Sequence, residues 1–453
     1  MGRSNLSLGE YPSPAYASAV SSGQSWGRVF HPSQQILPVG WRHEPLRFDA
    51  ISTSVLPYGR GRSYGDSCLN DGGTLLATRR LDRFIDFHSE TGVLRCEGGV
   101  RLDAILRTFV PKGFFIPITL GTKLISVGGA IANDVHGKNH HCAGTFGRHV
   151  LRFELLRSDG RRVVCSPTDN TDLFQATVAG LGLTGLILWA DIRLQKITGP
   201  MVSAESIRFE SLDEFLELSD SSNRDYEHSA AWADLLASRR VRGLFMRGNF
   251  SEGDGAKRKS RFRIKIPMNA PNFLLNRWTM KTFNALYFER QTRKVARQVL
   301  SYDPFFFPLD SIRRWNRMYG KRGFFQYQCV VPEQDRTASL PVLLDRARRS
   351  GSGPFLVVMK TFGDLRSPGM LSFPLKGVTV SLDFPNDGAV TRKTMDDLDA
   401  IVQESGGAVY PAKDARMSPE HFKAYFPRWR EFSAFIDPKF SSSFWRRVTG
   451  EVS

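Results

Sequence analysis

The sequence predicts an α+β fold, in which short strands and helices mix without the strict strand–helix repeat of a parallel α/β sheet. Two observations support this prediction. Residues 80–98 and 150–166 each show the alternating pattern and the turn residues of a β-hairpin. Strand-like composition returns in the second half of the chain, in residues 323–331, 355–363 and 377–385, which we expect to share one sheet.

The segments between the hairpins fit the same fold class. Residues 101–110 have the spacing of a helix that stops at Pro111, and FFIPIT then resumes a strand. Residues 168–180 predict a helix with an Asn or Thr cap and a glycine stop, and residues 183–197 predict a strand. Because the composition shifts after about Pro200, a second structural region is expected to begin there.

The charge and the cysteines restrict the possible functions. A formal net charge of +17 and an isoelectric point near 9.9 favour anionic partners: phosphate, nucleic acid or an acidic membrane surface. The five cysteines are scattered and never form a C-x-x-C pair, so reduced thiols in a cytoplasmic protein are expected, not a disulfide framework or a zinc site. The sequence shows no signal-peptide core and no apolar stretch of about 18 residues, which predicts a protein that at most lies on a membrane.

The first glycine-rich segment is LPYGRGRSYGDSCLNDGG, residues 56–73. Its glycine spacing is one residue away from the dinucleotide fingerprint of a Rossmann fold, in which the glycine loop must open a helix. Turn residues follow here, from Asp66 to Gly73, which disfavours the Rossmann interpretation. A phosphate would instead be bound by backbone N–H groups with help from Arg60 and Arg62, and a glycine-rich surface turn is the alternative.

The second glycine-rich segment is GTKLISVGGAIANDVHGKNHHCAGTFG, residues 121–147. Gly128 and Gly129 begin a small-residue turn or helix that lets a backbone approach a ligand closely. The histidines and Cys142 of this segment raise the question of a metal site. Adjacent histidines cannot share one helix face and no carboxylate spacing supports them, so no metal is predicted. Polar residues lining a tight loop are the preferred interpretation.

Together the two loops resemble the FAD domain of the vanillyl-alcohol-oxidase (para-cresol methylhydroxylase, PCMH) superfamily. Further segments extend this similarity over nearly the whole chain, to the members that oxidise a polyprenyl-phosphoryl ribose: SAAWADLL, RWNRMYG, GFFQYQCVVP, MLSFPLKG, LDFP and GGAVYPAKDAR. The resemblance implies FAD as cofactor and a PCMH-type FAD-binding domain in residues 1–197, completed by residues 408–453. Residues 198–407 would form a substrate-binding domain, mainly an antiparallel sheet with helices outside.

By position, the resemblance assigns the cofactor contacts to the two loops, to a backbone contact at the adenine end and to a tyrosine at the flavin ring. These residues are Pro57, Tyr58, Gly59, Arg60, Gly61, Arg62, Ser63, Tyr64, Gly65, Asp66, Ser67, Gly121, Ser126, Val127, Gly128, Gly129, His136, Gly137, Lys138, Asn139, Ile187 and Tyr410. Sugar-lactone oxidases that bond their flavin covalently place a histidine where this chain has Arg62. The resemblance therefore implies non-covalent FAD, with His136 as the alternative attachment point.

The same resemblance assigns the reacting side. Lys413 matches a family lysine near substrate and flavin, where it would accept the hydroxyl proton or stabilise the oxyanion; a surface lysine beside Asp414 is the alternative. Lys360, a cation inside an apolar strand, would need a partner such as phosphate. The implied catalytic residues are Lys413, Gln328 and Tyr64, and the implied substrate contacts are Trp232, Gln326, Gln328, Lys360, Ser381 and Lys413. Packing is the alternative for Trp232 and Tyr64, and an exposed strand face for the two glutamines.

The reaction implied is FAD-dependent oxidation of the ribose 2'-hydroxyl of a polyprenyl-phosphoryl-β-D-ribose to the 2'-keto intermediate, which a separate NADH-dependent reductase would reduce to the arabinose epimer. The alternatives are an FAD-dependent oxidase of a soluble sugar or aldonolactone, and a non-catalytic flavoprotein. Residues 257–297 interleave basic and apolar side chains and would contact the inner face of the plasma membrane; a solvated amphipathic helix and charged loop are the alternative. Nucleic-acid binding is not expected, because the charge is concentrated in one segment without a known motif.

Overall fold

The structure is a computed structural model and describes residues 23–450, apart from residues 239, 254–263, 272–274 and 352. Its first strands are β1 (Gln35–Pro38), β2 (Val55–Tyr58), β3 (Thr74–Ala77), β4 (Phe84–His88), β5 (Val93–Glu97), β6 (Phe114–Phe115), β7 (Val150–Leu156), β8 (Arg162–Cys165), β9 (Leu186–Arg193) and β10 (Gln195–Lys196). β1, β3 and β2 form a parallel sheet in that order, and β4, β5, β9, β7 and β8 form an antiparallel sheet. Both predicted hairpins are confirmed, as β4–β5 and β7–β8.

The helices of this region are short and are α1 (Leu102–Phe109), α2 (Val127–Ala132), α3 (His140–Ala143) and α4 (Thr171–Thr177). α1 is the helix predicted before Pro111. The start of α4 after Asn170 is as predicted, but the capping hydrogen bond and the glycine stop are not found. Asn170 occupies the cap position in a left-handed conformation, and its side chain donates to the Val164 carbonyl (2.8 Å) instead of capping. The helix ends at Thr177 because Val178 is already extended, so no glycine stops it.

The later strands are β11 (Met201–Phe209), β12 (His228–Asp234), β13 (Arg242–Ser251), β14 (Ile264–Lys265), β15 (Val295–Ser301), β16 (Ile312–Arg313), β17 (Phe324–Pro332), β18 (Leu356–Phe362), β19 (Gly377–Pro385) and β20 (Ala408–Val409). Apart from the parallel pair β14–β16, they form one antiparallel sheet in the order β15-β11-β13-β12-β18-β19-β17-β20. The three predicted strands β17, β18 and β19 are neighbours in this sheet, which confirms that expectation.

The helices that accompany this sheet are α5 (Leu212–Asp225), α6 (Arg277–Glu289), α7 (Tyr302–Phe306), α8 (Arg336–Arg348), α9 (Ala389–Glu404), α10 (Pro419–Tyr425), α11 (Trp429–Ser433) and α12 (Ser443–Thr449). Apolar residues of α8 and α9, such as Leu343 and Leu398, share one core with alternate residues of β17, β18 and β19. Because strand side chains alternate between faces, the residues between them, such as Gln328 and Lys360, lie on the opposite face. One sheet face is therefore a helix-covered core, and the other is free to form a polar site.

The C-terminal segment returns to the first glycine loop. The Tyr410 N–H donates to the Gln328 carbonyl (2.8 Å), and the Tyr64 N–H donates to the Ala412 carbonyl (2.9 Å). Within the residues that the structure describes, we find no helix with the length and apolar character needed to cross a bilayer. The α+β class is as predicted, whereas the division into two domains stays a prediction.

Candidate active site

A cavity of about 800 Å³ lies between the two glycine loops and the polar face of the β17–β19 region. Of the predicted cofactor residues, those that line it are Pro57, Gly59, Arg60, Gly61, Arg62, Ser63, Tyr64, Ser67, Gly121, Ser126, Gly128, Gly129, His136, Ile187 and Tyr410. Of the predicted substrate residues, Gln326, Gln328, Lys360, Ser381 and Lys413 line it too. Sequence positions more than 350 residues apart thus meet around one space.

In the first loop, the residues that do not line the cavity hold the loop in place. The Tyr58 hydroxyl donates to the Gln24 carbonyl (2.8 Å), and both Asp66 oxygens accept from Arg447 (2.8 and 2.9 Å). Gly65 is required by close packing, since a Cβ there would lie 1.7 Å from the Asp414 carbonyl oxygen. These three residues therefore fix the shape of the loop from behind.

In the second loop, Ser126 caps α2 by accepting from the Gly129 N–H (3.3 Å). Val127, Gly137, Lys138 and Asn139 lie behind the lining residues. The Asn139 side chain binds the segment between β6 and the loop, accepting from the Thr119 N–H (3.2 Å) and donating to the Pro117 carbonyl (2.8 Å). Lys138 donates to the Phe306 carbonyl (2.7 Å), and burial lowers its pKa to about 8.

The donor set of this cavity fits the phosphates of FAD. The Arg60 Nε and Ser67 Oγ atoms are buried and have no hydrogen-bond partner in the described part of the chain. Gly121 lines the cavity, and a Cβ added there would meet no protein atom within 4 Å, so there is open space beside this glycine. Arg62 stacks on Trp26, with its Cζ 4.3 Å from the ring centroid. An anionic, flat cofactor would satisfy the free donors and occupy this space.

The reacting side of the cavity is formed by the polar face of the sheet and the C-terminal segment. The Lys413 Nζ lies 3.8 Å from the centroid of the Tyr64 ring. Burial lowers the pKa of Lys413, against the opposing effect of the Asp383 carboxylate, and burial raises the pKa of Asp383. Gln326 donates to Asp383 through Nε2, while its buried Oε1 has no partner among the described residues and can accept from a ligand.

His136 connects the two halves of the site. Its Nε2 lies 3.0 Å from the Gln328 Nε2, and its Nδ1 lies 3.0 Å from the Lys360 Nζ. Burial lowers the pKa of His136 well below its ordinary value, with further contributions from Lys360, His140 and Lys413. The imidazole is therefore neutral at physiological pH. Among the residues that the structure describes, no group of His, Cys, Asp or Glu side chains could hold a metal ion.

Trp232 is the one predicted substrate contact that does not line the cavity. It is buried on β12 and packs edge-to-face against Tyr287, with ring centroids 4.6 Å apart. The structure favours the packing alternative for this residue. Conversely, the sequence interpretation missed Asp383 and Arg447. A carboxylate two positions beyond Ser381, and so on the same face of a predicted strand, was the available signal for Asp383.

The fold and the cavity define an FAD-binding protein, and comparisons with known proteins agree. The family described as FAD binding domain matches residues 49–166. A decaprenylphosphoryl-β-D-ribose oxidase from Mycolicibacterium smegmatis is 36% identical over 87% of this chain and 89% of its own. An uncharacterized protein of Streptomyces coelicolor is 30% identical over 77% of this chain and 100% of its own. Mitochondrial D-2-hydroxyglutarate dehydrogenase of Bos taurus is 29% identical over 32% of this chain and 27% of its own.

The class is therefore an FAD-dependent oxidoreductase. The chain belongs to the family of the decaprenylphosphoryl-β-D-ribose oxidases, and FAD is its cofactor.

The space beside Gly121 gives a direct test of the cofactor site. Gly121→Val is expected to leave the stability of the apoprotein within about 0.5 kcal/mol of wild type, because the new side chain meets no protein atom. The substitution should weaken FAD binding at least about tenfold, because the valine side chain fills space that the cofactor needs. Flavin fluorescence during titration of the apoprotein measures this. Gly40→Val, remote from the cavity, is the matched control, and equal FAD affinity in both variants would contradict the assignment.

Proposed function

We propose that the protein oxidises the ribose 2'-hydroxyl of a polyprenyl-phosphoryl-β-D-ribose to the 2'-keto intermediate, the first half of epimerisation to the arabinose. The observation that carries this proposal is the position of Lys413 and the polar sheet face in the same cavity as the two FAD loops. The M. smegmatis relative, named for this class of substrate, supports it. The 2'-keto product needs a reduction, which we assign to a separate NADH-dependent keto-reductase.

Bound FAD supplies a hydride acceptor for the carbon that is oxidised. Lys413 would accept the proton of the 2'-hydroxyl, because its lowered pKa makes the neutral amine available. Tyr64 fixes the position of Lys413 through the contact of its ring with the ammonium group or amine. The free Oε1 of Gln326 would accept a hydrogen bond from a second sugar hydroxyl and so orient the ring.

The phosphate of the substrate fits the rim of the cavity. Lys265, Arg313 and Arg314 line it there, and their side chains are exposed. β14 and β16 pair in parallel, which places Lys265 opposite Arg313. A phosphate bound between these cations would leave the pentose to enter the cavity and the polyprenyl chain outside it.

We also propose that residues 1–197 with 408–453 act as the FAD-binding domain and residues 198–407 as the substrate-binding domain. FAD would be held without a covalent bond, because Arg62 occupies the place of the histidine in covalent relatives and is stacked on Trp26. The C-terminal segment supports this arrangement, since it carries Tyr410 and Lys413 from the sheet to the first loop.

The function is tested by mixing the purified flavoprotein anaerobically with a short-chain prenyl-phosphoryl ribose, free ribose and an aldonolactone. Loss of flavin absorbance with the prenyl-phosphoryl ribose alone is expected. Reduction by the lactone or by free ribose would instead support a soluble-sugar oxidase. A flavin that none of the three compounds reduces would support a non-catalytic flavoprotein.

We propose that α6 contacts the cytoplasmic face of a membrane, where a polyprenyl substrate resides. Trp278, Phe283 and Leu286 are exposed on this helix, at 79%, 50% and 69% of their surface. Lys281 and Arg290 lie among them and would meet anionic headgroups, whereas the guanidinium of Arg277 donates to the carbonyls of Arg348 and Ser350. Residues 257–263 and 272–274 of the predicted segment lie outside the described residues.

The membrane contact predicts a specific loss of vesicle binding. The double variant Trp278→Ser/Leu286→Ser is expected to bind phosphatidylglycerol vesicles at least about tenfold more weakly, because two apolar side chains no longer enter the interface. Co-sedimentation at low and high salt measures this. Val342→Ser on α8, which removes a side chain that is 56% exposed, should bind as wild type. Undiminished binding of the double variant would exclude α6 as the contact.

A further inference from the structure

The hydrogen bonds around His136 have a fixed direction. The Thr379 hydroxyl donates to the Cys329 carbonyl (2.8 Å), so its oxygen is left as an acceptor. The neighbouring Gln328 atom, 3.2 Å from that oxygen, must therefore be the amide nitrogen and not the amide oxygen. This identifies the orientation of the Gln328 amide from its surroundings. The same NH₂ group then donates its second hydrogen to the His136 Nε2, 3.0 Å away.

This direction continues to Lys360. A neutral imidazole that accepts at Nε2 carries its proton on Nδ1. The His136 Nδ1–H faces the Lys360 Nζ at 3.0 Å, where only the lone pair of an uncharged amine can accept it. If Lys360 were an ammonium group, its N–H donors would face the N–H donor of the His136 Nδ1, with no acceptor between them. To remove that conflict, the imidazole must change tautomer, the Gln328 amide must flip and the Thr379 hydroxyl must leave the Cys329 carbonyl.

We propose that Thr379, Gln328 and His136 form a tautomer lock that holds Lys360 as a neutral amine inside the active-site cavity. The three residues are positioning residues for the protonation state of Lys360. Burial and the neighbouring lysines Lys138 and Lys413 act in the same direction, and together lower the pKa of Lys360 to about 7. His136 and His140, the other titratable groups of the cluster, have pKa values lowered by burial and are neutral.

The lock has a consequence for substrate recognition, which rests on the proposed function. In its neutral form Lys360 has its lone pair occupied by His136, so the amine offers two N–H donors and no positive charge to the cavity. Such a group suits the hydroxyl groups of a pentose and attracts phosphate weakly. The sequence interpretation gave Lys360 a partner such as phosphate. In the structure the partner of Lys360 is His136. The pentose lies at Lys360, and the phosphate stays at the rim.

The protonation state of Lys360 is tested on the substrate-free holoenzyme. A failure of this proposal can therefore be told apart from a failure of the proposed function. The rate at which acetic anhydride labels Lys360, followed by mass spectrometry against pH, reports the neutral fraction of the amine. In the wild type, Lys360 should be half-neutral near pH 7. Thr379→Val removes the fixed acceptor without changing charge or volume, and frees the Gln328 amide. Labelling of Lys360 at pH 7 should then fall about fivefold, corresponding to a pKa about one unit higher.

Two further variants keep the test decisive. Thr361→Val removes a buried hydroxyl from the same strand as Lys360, but one that is bonded to Asn223 (3.3 Å), and should leave the labelling unchanged. Gln328→Glu offers only acceptors to His136 and should raise the pKa of Lys360 further than Thr379→Val does. A wild-type Lys360 that labels like an ordinary lysine would overturn the proposal. So would a Thr379→Val profile identical to that of Thr361→Val.

Discussion

Flavin reduction by the prenyl-phosphoryl ribose is expected to slow by about 10²–10⁴-fold when Lys413 is replaced by methionine, the range associated with loss of a general base. Lys413 is the buried amine next to Tyr64, and its lowered pKa makes it a proton acceptor near neutral pH. Methionine has a similar length, so the cavity keeps its shape. Stopped-flow absorbance under anaerobic conditions measures the rate at saturating substrate.

The pH dependence separates a base from a fixed cation at this position. A base must be neutral, so the rate should rise with pH through the apparent pKa of the Lys413–Asp383 pair, which lies below the ordinary lysine value. A fixed cation would give the opposite slope, with activity lost as pH rises. Lys393→Met, at a lysine 78% exposed on α9, should retain the wild-type rate and slope. A Lys413→Met enzyme that reduces its flavin at the wild-type rate would remove Lys413 from catalysis.

Replacing Arg447 with methionine is expected to destabilise the protein by about 3–5 kcal/mol, because it leaves two buried carboxylates without their charge partner. Arg447 on α12 binds Asp66 of the first FAD loop through two nitrogens and Asp414, beside Lys413, at 2.8 Å. Both aspartates are nearly inaccessible to solvent. Urea unfolding of the apoprotein measures the loss of stability, and titration of the folded protein with FAD measures the affinity for the cofactor. Both the free energy of unfolding and the FAD affinity should decrease.

A second substitution distinguishes this ion pair from general damage. Adding Asp66→Asn to Arg447→Met removes one uncompensated charge and should restore part of the stability. Arg428→Met breaks a surface pair with Glu431 on α11 and should cost less than about 1 kcal/mol. An Arg447→Met protein as stable as Arg428→Met would show that α12 does not hold the two segments together.

The sequence predicted those features that depend on nearby residues. The two hairpins and the strands β17, β18 and β19 followed from alternation over a few positions, and the glycine loops from turn composition. The period of two also placed Gln326 and Gln328 on one face, where both line the cavity. For α4 the cap residue Asn170 was predicted, but its amide donates to the Val164 carbonyl and does not cap the helix, and the predicted glycine stop was wrong because Val178 is already extended.

The remaining site features depend on contacts between distant parts of the chain, which a single sequence does not reveal. Asp66 and Arg447 are 381 positions apart, and Gln328 and His136 are 192 positions apart. Trp232 matched the family pattern, but its orientation toward Tyr287 is set by the packing of α6 on β12. The charge state of Lys360 follows from a chain of hydrogen bonds across β17, β18 and β19 and the second loop.

Isotopic substitution at the sugar carbon examines the proposed chemistry most directly. Single-turnover mixing of the oxidised holoenzyme with prenyl-phosphoryl ribose should bleach the yellow colour, more slowly when deuterium replaces hydrogen at C2', and should yield one 2'-keto sugar per flavin. Equal rates for the two isotopologues at saturation, or a colour that persists with both, would contradict hydride removal from C2'.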